Sequence, residues 1–245
     1  MNNKTEVIIL SNNDYRDADA LLHVLSEDYG KMTFVARGIR KPKSKNANSC
    51  SLFQQSIFHF DFHEQRSMQN LKTAELKYSY RKIREDLTKQ SIASIMVETM
   101  DKIDVGIVEE SFELLKLSLQ YLDNSDNPMA LLGLYIAKIC EICGIEPYVD
   151  GCVRCQREKQ LTSISLNDGG FICASCFNEN LHVKKERSVL KFFRLFNKAN
   201  IEQFPIIEKI TPCDYSDIED IILFFMEYSG VYLQSLKFLQ HLSNW

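Results

Sequence analysis

Glycine and proline are scarce in this chain, with 9 and 5 residues among 245, and this scarcity argues against long disordered linkers. The longest nearly apolar runs, MALLGLYIA and IILFFM, are far too short to span a membrane. The opening residues, MNNKTEVIIL, lack the apolar core and cleavage pattern of a signal peptide. We therefore expect a soluble protein of the cytoplasm that has no membrane partner.

Sequence motifs for bond-making chemistry are also missing. Neither GxSxG nor HExxH occurs in the chain, which argues against the common hydrolase and metalloprotease sites. Gly30 and Lys31 do not belong to a phosphate-binding loop, because Leu25 stands where that motif needs glycine and Met32 where it needs Ser or Thr. We expect neither an enzyme nor a small-molecule substrate.

Acidic residues are absent from Lys31 to Phe60, although the whole chain has a net charge of -4. A cationic run is often only a solvated loop, but a stretch of this length without compensating acids favours contact with a polyanion. Lys31 and Arg16 are candidates to extend this basic patch. Its central cations lie in VARGIRKPKSK and are Arg37, Arg40, Lys41, Lys43 and Lys45.

The first eighty residues have the pattern of a small β-barrel. Residues 15–30 (YRDADALLHVLSEDYG) show apolar spacing that predicts a short helix or turn ending at Gly30. Four other segments are β-branched or alternate in polarity, which is typical of strands. A five-stranded OB-fold is the economical architecture for this length. The predicted strands are TEVIILSN, KMTFVARGI, SIFHFDFHE and SMQNLKTAELKYS.

Helical spacing replaces the strand pattern after Tyr80. Asn127 and Pro128 predict a helix start, and Gly144 predicts its end. The segment SDIE, residues 216–219, resembles a capping box that opens a last helix running towards the C-terminus. The predicted fold class is α+β and multidomain, with an N-terminal OB-fold barrel and a helical domain that carries a cysteine-rich insert. The predicted domains are 1–80 (barrel), 81–148 (helical), 149–180 (insert) and 181–245 (helical).

Four of the eight cysteines predict a metal site in the insert. Cys152 and Cys155 form one CxxC pair, and Cys173 and Cys176 form a second. Their spacing matches the zinc-ribbon pattern, in which two tight turns supply four thiolates to one tetrahedral ion. We predict one structural Zn²⁺, with an iron–sulfur site or free thiols as alternatives. Cys140 and Cys143 also form a CxxC, but their position in an apolar helix predicts a core role.

The order of these features resembles that of the RecO family of bacterial recombination mediators. LLHVLSEDYGKMTFVARGIRKPKSK is the most family-like stretch, and GIEPYVDGCVRCQ at the entrance to the insert is the second. The resemblance covers nearly the whole chain. It implies an OB-fold barrel, a helical domain and a structural zinc ribbon.

The same resemblance implies a function in DNA repair and homologous recombination. Members of the family bind single- and double-stranded DNA and anneal complementary strands. With RecR they help load RecA onto DNA coated by single-strand-binding protein, whose acidic C-terminal tail they contact. Carried onto this sequence, the DNA contacts would be Arg37, Arg40, Lys41, Lys43 and Lys45.

Two other functions fit the same residues. A zinc-ribbon adaptor could join proteins and use the cationic loop to hold an acidic partner. An RNA-binding OB protein could use the same cations, because contacts to phosphate carry little information about the sugar.

Overall fold

The structure is a computed structural model that describes residues 3–104, 108–210 and 212–243. The chain forms two compact units, Met1–Asn124 and Ser125–Trp245. We call them the barrel unit and the ribbon unit. The domain boundaries predicted at residues 80, 148 and 180 say which segments fold independently, and they remain predictions.

Five strands close a barrel in the order β1-β2-β3-β5-β4. Neighbouring strands are antiparallel except for β3 and β5, which pair in parallel over only two positions, Phe34 with Gln69 and Val35 with Asn70. Apolar side chains of alternate residues, such as Phe34, Phe58 and Phe60, fill the interior. The predicted OB-like barrel is therefore confirmed. Its strands are β1 (Asn3–Tyr15), β2 (Asp19–Ser26), β3 (Gly30–Ala36), β4 (Gln55–Phe60) and β5 (Gln69–Tyr78).

The short helix predicted between residues 15 and 30 is wrong, because residues 19–26 of this segment form β2. Ala20, Leu22 and Val24 point into the barrel, as alternation in a strand requires. Leu25 is equally buried, yet it lies outside that interior cluster. Helices that pack on the outside of β2 cover its second face, which has Leu21 and Leu25 between polar residues. Apolar residues therefore stand next to each other in the sequence, and the pattern imitates a helix.

The barrel unit continues with helices α1 (Arg81–Glu85), α2 (Leu87–Lys102) and α3 (Val108–Asn124). Helix α2 packs on β1 and β2, and α3 packs on β2 and β3. The outer face of these three strands is therefore covered, while most residues of β5 are exposed on their outward side.

The ribbon unit is built on helices that surround α4. Its helices are α4 (Pro128–Ile142), α5 (Arg187–Lys198), α6 (Phe204–Ile207, preceded by a 3-10 turn at Ile201–Gln203), α7 (Tyr215–Ser229) and α8 (Leu236–Ser243). Helix α4 begins at Pro128, as predicted, and Gly144 follows its end with a left-handed backbone (φ +65°). A two-stranded sheet, β6 (Leu161–Ser165) and β7 (Gly170–Cys173), forms the insert. Within the described ranges, no helix is both long and apolar enough to cross a bilayer.

The last helix differs from its prediction at both ends. Helix α7 is capped by Asp214, whose side chain accepts from the backbone of Asp217 while Asp217 caps in return. The predicted pair, Ser216 and Glu219, lies two residues further along the chain than this observed pair. Gly230, with φ +68°, ends α7 in a left-handed cap, and α8 is a separate helix.

Candidate metal centre and nucleic-acid interface

The two CxxC pairs come together as one cluster. The sulfur atoms of Cys152, Cys155, Cys173 and Cys176 all lie within 4.8 Å of one another. The Sγ atoms of Cys155 and Cys173 are 3.6 Å apart. Four sulfurs at about 2.3 Å from a tetrahedral zinc ion are separated by about 3.8 Å, so the donor set and its spacing fit Zn²⁺.

Two tight turns place these sulfurs. In the first, the backbone N–H of Gln156 donates to the carbonyl of Cys152 at 2.7 Å, and Gln156 adopts a left-handed backbone with φ +59°. In the second, the N–H of Cys176 donates to the carbonyl of Cys173 at 3.0 Å. Gly151 is required beside the first turn, because a Cβ there would lie 2.9 Å from the carbonyl oxygen of Gln156.

Two thiols of the cluster, Cys152 and Cys176, have pKa values shifted in opposite directions. Burial raises the pKa of Cys152, but hydrogen bonds from backbone N–H groups outweigh this effect and lower the pKa to about 6. The largest of these hydrogen-bond contributions comes from the backbone of Cys173. A hydrogen bond with Cys155 and burial raise the pKa of Cys176 to about 12. Cys152 therefore ionises much more readily than Cys176. A bound dication favours every thiolate at once, which suits this donor set.

Asp168, in the turn between β6 and β7, holds the insert together through its carboxylate. It accepts from Arg154 at 3.0 and 3.1 Å and from Ser165 Oγ at 2.6 Å. His182 Nε2 lies 3.3 Å from the same carboxylate, and His182 Nδ1 accepts from the backbone of Asn178 at 3.0 Å. These hydrogen bonds lower the pKa of Asp168, and the bond from Ser165 has the largest effect. Because Nδ1 accepts from the backbone, Nε2 is the ring nitrogen that faces the Asp168 carboxylate.

The sequence analysis singled out the four cysteines and missed Asp168 and His182. Neither residue stands at a recognisable spacing from the cysteines, so only the folded hairpin shows that they meet.

The basic run forms an ordered turn segment, residues 37–45, which we call the cationic loop. The loop leaves the end of β3 and is tied back to the β1–β2 hairpin. The backbone N–H of Gly38 donates to Asp19 Oδ1 at 2.7 Å. The backbone N–H of Arg40 donates to the carbonyl of Ala18 at 3.0 Å. The cations are thus presented on a fixed backbone at one end of the barrel.

The five predicted cations are all exposed, but they are not equivalent. Arg40 is folded onto β1, where its guanidinium lies 2.9 Å from a carboxylate oxygen of Asp14 and 2.6 Å from Asn12 Oδ1. Among the described residues, no ion pair engages the other four, which are Arg37, Lys41, Lys43 and Lys45.

The two residues predicted to extend the patch lie at opposite ends of the barrel. Arg16 is in the turn of the β1–β2 hairpin, at the same end as the cationic loop, with its guanidinium over the ring of Tyr15 at 5.1 Å. Lys31 is near the start of β3, at the other end. Its ammonium donates to the carbonyls of Asp101, at 2.8 Å, and Ile103. Lys31 therefore closes the C-terminal end of α2 and is not part of the loop.

These features define an OB-like barrel protein with a helical part and a candidate zinc ribbon. Two family models match the chain: "Recombination protein O N terminal" over residues 1–80 and "Recombination protein O C terminal" over residues 84–230. The chain belongs to the Recombination protein O, or RecO, family, which confirms the resemblance found in the sequence.

Relatives match along the full length of the chain. A protein of Halalkalibacterium halodurans is 28% identical, over 100% of this chain and 96% of its own length. A protein of Bacillus pumilus is 29% identical, over 98% of this chain and 94% of its own length. Both are named DNA repair protein RecO. The chain is therefore a member of the family of DNA repair proteins to which these relatives belong.

Proposed function

We propose that this protein is a mediator of DNA repair and homologous recombination that binds single- and double-stranded DNA and anneals complementary strands. It makes and breaks no covalent bond. It works in the cytoplasm at the nucleoid, with the cationic loop as its main DNA contact and one structural Zn²⁺ in the ribbon.

The observation that carries this proposal is the state of the cations in the loop. Arg37, Lys41, Lys43 and Lys45 are exposed on a backbone that hydrogen bonds hold in place. Within the described part of the chain they have no ion-pair partner. Cations that are already paired gain little from a phosphate, because the internal partner must first be displaced. Unpaired cations release the counterions of the nucleic acid directly, which drives binding.

Annealing follows from the same charges. Two complementary strands repel each other through their phosphates, and this repulsion slows their encounter. A loop that neutralises phosphates without reading base edges leaves the Watson–Crick faces free to pair. The acidic remainder of the chain limits the number of phosphates that one molecule holds, so that the duplex can leave.

We further propose the partners that membership of the family implies. RecR would act together with this chain to load RecA onto DNA coated by single-strand-binding protein. The acidic C-terminal tail of that protein would be a direct contact. Membership supports these partners, and co-purification of each with the full-length chain is their test.

The deciding experiment compares DNA binding by the wild type and the triple variant Lys41→Ala/Lys43→Ala/Lys45→Ala over a salt series. Each phosphate contact contributes about 0.7 to the slope of log affinity against log salt on single strands. We expect the triple variant to bind more weakly at low salt, with a slope shallower by about 2. Annealing of labelled complementary strands is measured in the same samples and should be slowed in parallel.

The matched control removes the same charge elsewhere. Lys191, Lys209 and Lys237 are exposed lysines of the ribbon unit, and their triple alanine variant should keep the wild-type slope. Equal slopes for the wild type and the loop variant would rule out the loop as the DNA contact. A wild type that binds no DNA would favour the adaptor function, and tighter binding of an RNA strand of the same sequence would favour an RNA partner.

A further inference from the structure

A second feature of the barrel lies at the end opposite the cationic loop. A groove of about 240 Å³ runs between the start of β3 and the segment 61–68, which connects β4 to β5. Among the described strands, residues 30–33 of β3 pair only with β2, because β5 joins β3 later, at Phe34 and Val35. The barrel closes between β3 and β5 only beyond this point, so residues 30–33 leave one strand edge next to the groove without a strand partner in the described chain.

Two aromatic side chains that remain partly exposed line the groove. Tyr29 and Phe62 are 36% and 40% exposed. Their rings are stacked, with centroids 5.1 Å apart and planes at 27°. The buried ring of Phe60 supports both from behind, edge-on, at 5.8 Å from Tyr29 and 6.3 Å from Phe62. A rigid aromatic surface thus faces outward from the end of the barrel core.

Hydrogen bonds hold this pair in position. The amide of Asn3 donates from Nδ2 to the hydroxyl of Tyr29 at 3.2 Å, and its Oδ1 accepts from the backbone N–H of Phe62 at 3.3 Å. The buried side chain of Gln69 fixes the following segment, since it accepts from the N–H of His63 at 3.0 Å and donates to the carbonyl of Arg66 at 3.1 Å. The groove is therefore formed before any ligand arrives.

A cation stands next to the aromatic surface. Arg66 lines the groove and is exposed, and within the described ranges no carboxylate pairs with it. Lys31 also lines the groove, but its ammonium is engaged by the carbonyls at the end of α2. Arg66 is thus the group that can meet an anion beside the rings.

We propose that this groove is a stacking subsite for an unpaired nucleobase, with Phe62 and Tyr29 as the stacking surface and Arg66 as the contact to its phosphate. An aromatic face beside a cation is the combination that binds single-stranded nucleic acid without regard to sequence. A base inside a duplex has no free face to offer, so the subsite favours single strands over duplex. This inference rests on the proposed function, because it presumes a nucleic-acid ligand.

The two sites fit one strand. Strand β3 has Gly30 at the groove and Ala36 before the cationic loop, a separation of roughly 20 Å at 3.3 Å per residue. OB-folds hold about 4 to 16 nucleotides of a single strand, so one strand can reach both. In this arrangement the loop supplies most of the salt-dependent affinity, and the groove supplies the preference for unpaired bases.

The test uses the full-length protein and short single strands. A strand that carries 5-iododeoxyuridine is bound and irradiated, because this base crosslinks to aromatic side chains against which it lies, and the attached peptide is identified by mass spectrometry. Affinities are measured for a normal strand, for a strand with several abasic positions and for a duplex. The variants are Phe62→Leu and Arg66→Ala. The matched control is Tyr78→Leu, because Tyr78 is a 41% exposed aromatic on β5 that does not line the groove.

We expect crosslinks at Phe62 or Tyr29 and a loss of about tenfold in single-strand affinity for Phe62→Leu. Duplex affinity should stay unchanged, the abasic strand should bind the wild type more weakly than the normal strand, and Tyr78→Leu should behave as the wild type. Arg66→Ala should lower the salt slope by about one phosphate contact, and this exposed position provides a second variant if Phe62→Leu lowers the melting temperature.

The possible failures can be told apart. If the wild type binds no nucleic acid, the proposed function fails and this inference fails with it. If the wild type binds through the cationic loop but treats normal and abasic strands alike, the stacking subsite is refuted and the proposed function survives. Crosslinks that map only outside residues 29–33 and 60–69 would also refute the subsite.

Discussion

At the scale of single residues, the surroundings of each cysteine decide its chemistry. Four of the eight cysteines converge on one point. Cys50 and Cys140 are buried among apolar neighbours instead, and burial raises the pKa of each to about 12. Cys143, at the C-terminal cap of α4, is half-buried. The same type of side chain thus belongs to a candidate metal site in one place and to the apolar core in another.

This sorting predicts how many thiols react with a chromogenic disulfide reagent at pH 8. In the zinc-loaded protein we expect about one fast thiol, the half-buried Cys143, and about five after zinc is chelated, because loss of the ion should unfold the ribbon and expose its four thiols. A thiol whose pKa is raised stays protonated up to that pKa, so Cys50 and Cys140 remain slow at this pH. Metal content measured beside the reaction should fall from about one zinc per chain to none.

Two variants make this assay specific. Cys143→Ser should remove the fast thiol and leave the zinc content unchanged. Cys155→Ser should abolish zinc binding, because three thiolates no longer complete the tetrahedron. Fast reaction of all four ribbon thiols in freshly purified, unchelated protein would contradict a structural zinc site.

Two lysines of the same basic stretch, Lys31 and Lys43, likewise differ in their surroundings. Lys31 donates to two carbonyls at the end of α2, and burial lowers its pKa. Lys43 lies exposed in the cationic loop. Sequence reasoning grouped both in one basic patch, because they belong to the same stretch without acidic residues.

We therefore expect opposite results from Lys31→Met and Lys43→Met. Lys31→Met removes the donor from two carbonyls and should lower the free energy of unfolding by about 1–3 kcal/mol, while the salt slope of DNA binding stays unchanged. Lys43→Met should leave stability within about 0.5 kcal/mol and make the slope shallower. Urea unfolding and binding titrations measure the two effects, and a slope changed equally by both variants would contradict the structural role of Lys31.

At the scale of elements, close packing of the helices around α4 depends on Gly133. A Cβ at this position would lie 2.7 Å from a ring carbon of Phe196 on α5 and 2.8 Å from a methyl carbon of Ile218 on α7. Both neighbours are fully buried, so neither can move without a new cavity. Glycine is unfavourable inside a helix, yet here it lets three helices approach.

We expect Gly133→Ala to destabilise the ribbon unit. Alanine improves the helix propensity by about 1 kcal/mol, but overpacking a filled core costs about 1–3 kcal/mol, so the overlap outweighs the gain. Urea unfolding should show a lower midpoint. The double variant Gly133→Ala/Phe196→Leu makes room for the new methyl group and should recover part of the loss, whereas a more stable single variant would show that the helices can separate freely.

The strands show why element prediction succeeded for some segments and failed for β2. Strand β4 has alternating polarity because one face lies in the core and the other is less buried, so its period of two is visible in the sequence. Strand β2 has apolar residues on both faces, since Leu21 and Leu25 lie on the outward face that α2 and α3 cover. Periodicity reveals a strand only when one of its faces meets water.

At the scale of the whole molecule, the two compact units predict how the chain can be divided. The barrel unit includes α1 to α3, since α2 and α3 cover apolar residues on the outside of β1 to β3. Ile8 and Leu25, which are fully buried, do not belong to the barrel interior. A fragment that ends at residue 80 would leave such residues without cover.

We expect a fragment of residues 1–124 to unfold cooperatively and to bind single strands with a salt-dependent affinity. A fragment of residues 1–80 should aggregate or unfold without cooperativity, because it exposes that apolar face. Circular dichroism during heating and binding titrations compare the two. A well-folded 1–80 fragment would show that the predicted domain boundary at residue 80 marks an independent unit, and the 1–124 fragment with Lys41→Ala/Lys43→Ala/Lys45→Ala controls for binding through the loop.

The sequence by itself determined the features that depend on neighbours along the chain. The spacing of the four cysteines, the start of α4 at Pro128 and the run of cations after β3 are all local, and each lies where it was predicted. Only the tertiary structure decided that residues 19–26 form a strand, that Lys31 closes a helix end and that Tyr29 meets Phe62. These outcomes depend on strand pairing and helix packing between segments far apart in the chain, which fix burial and partners that no local pattern contains.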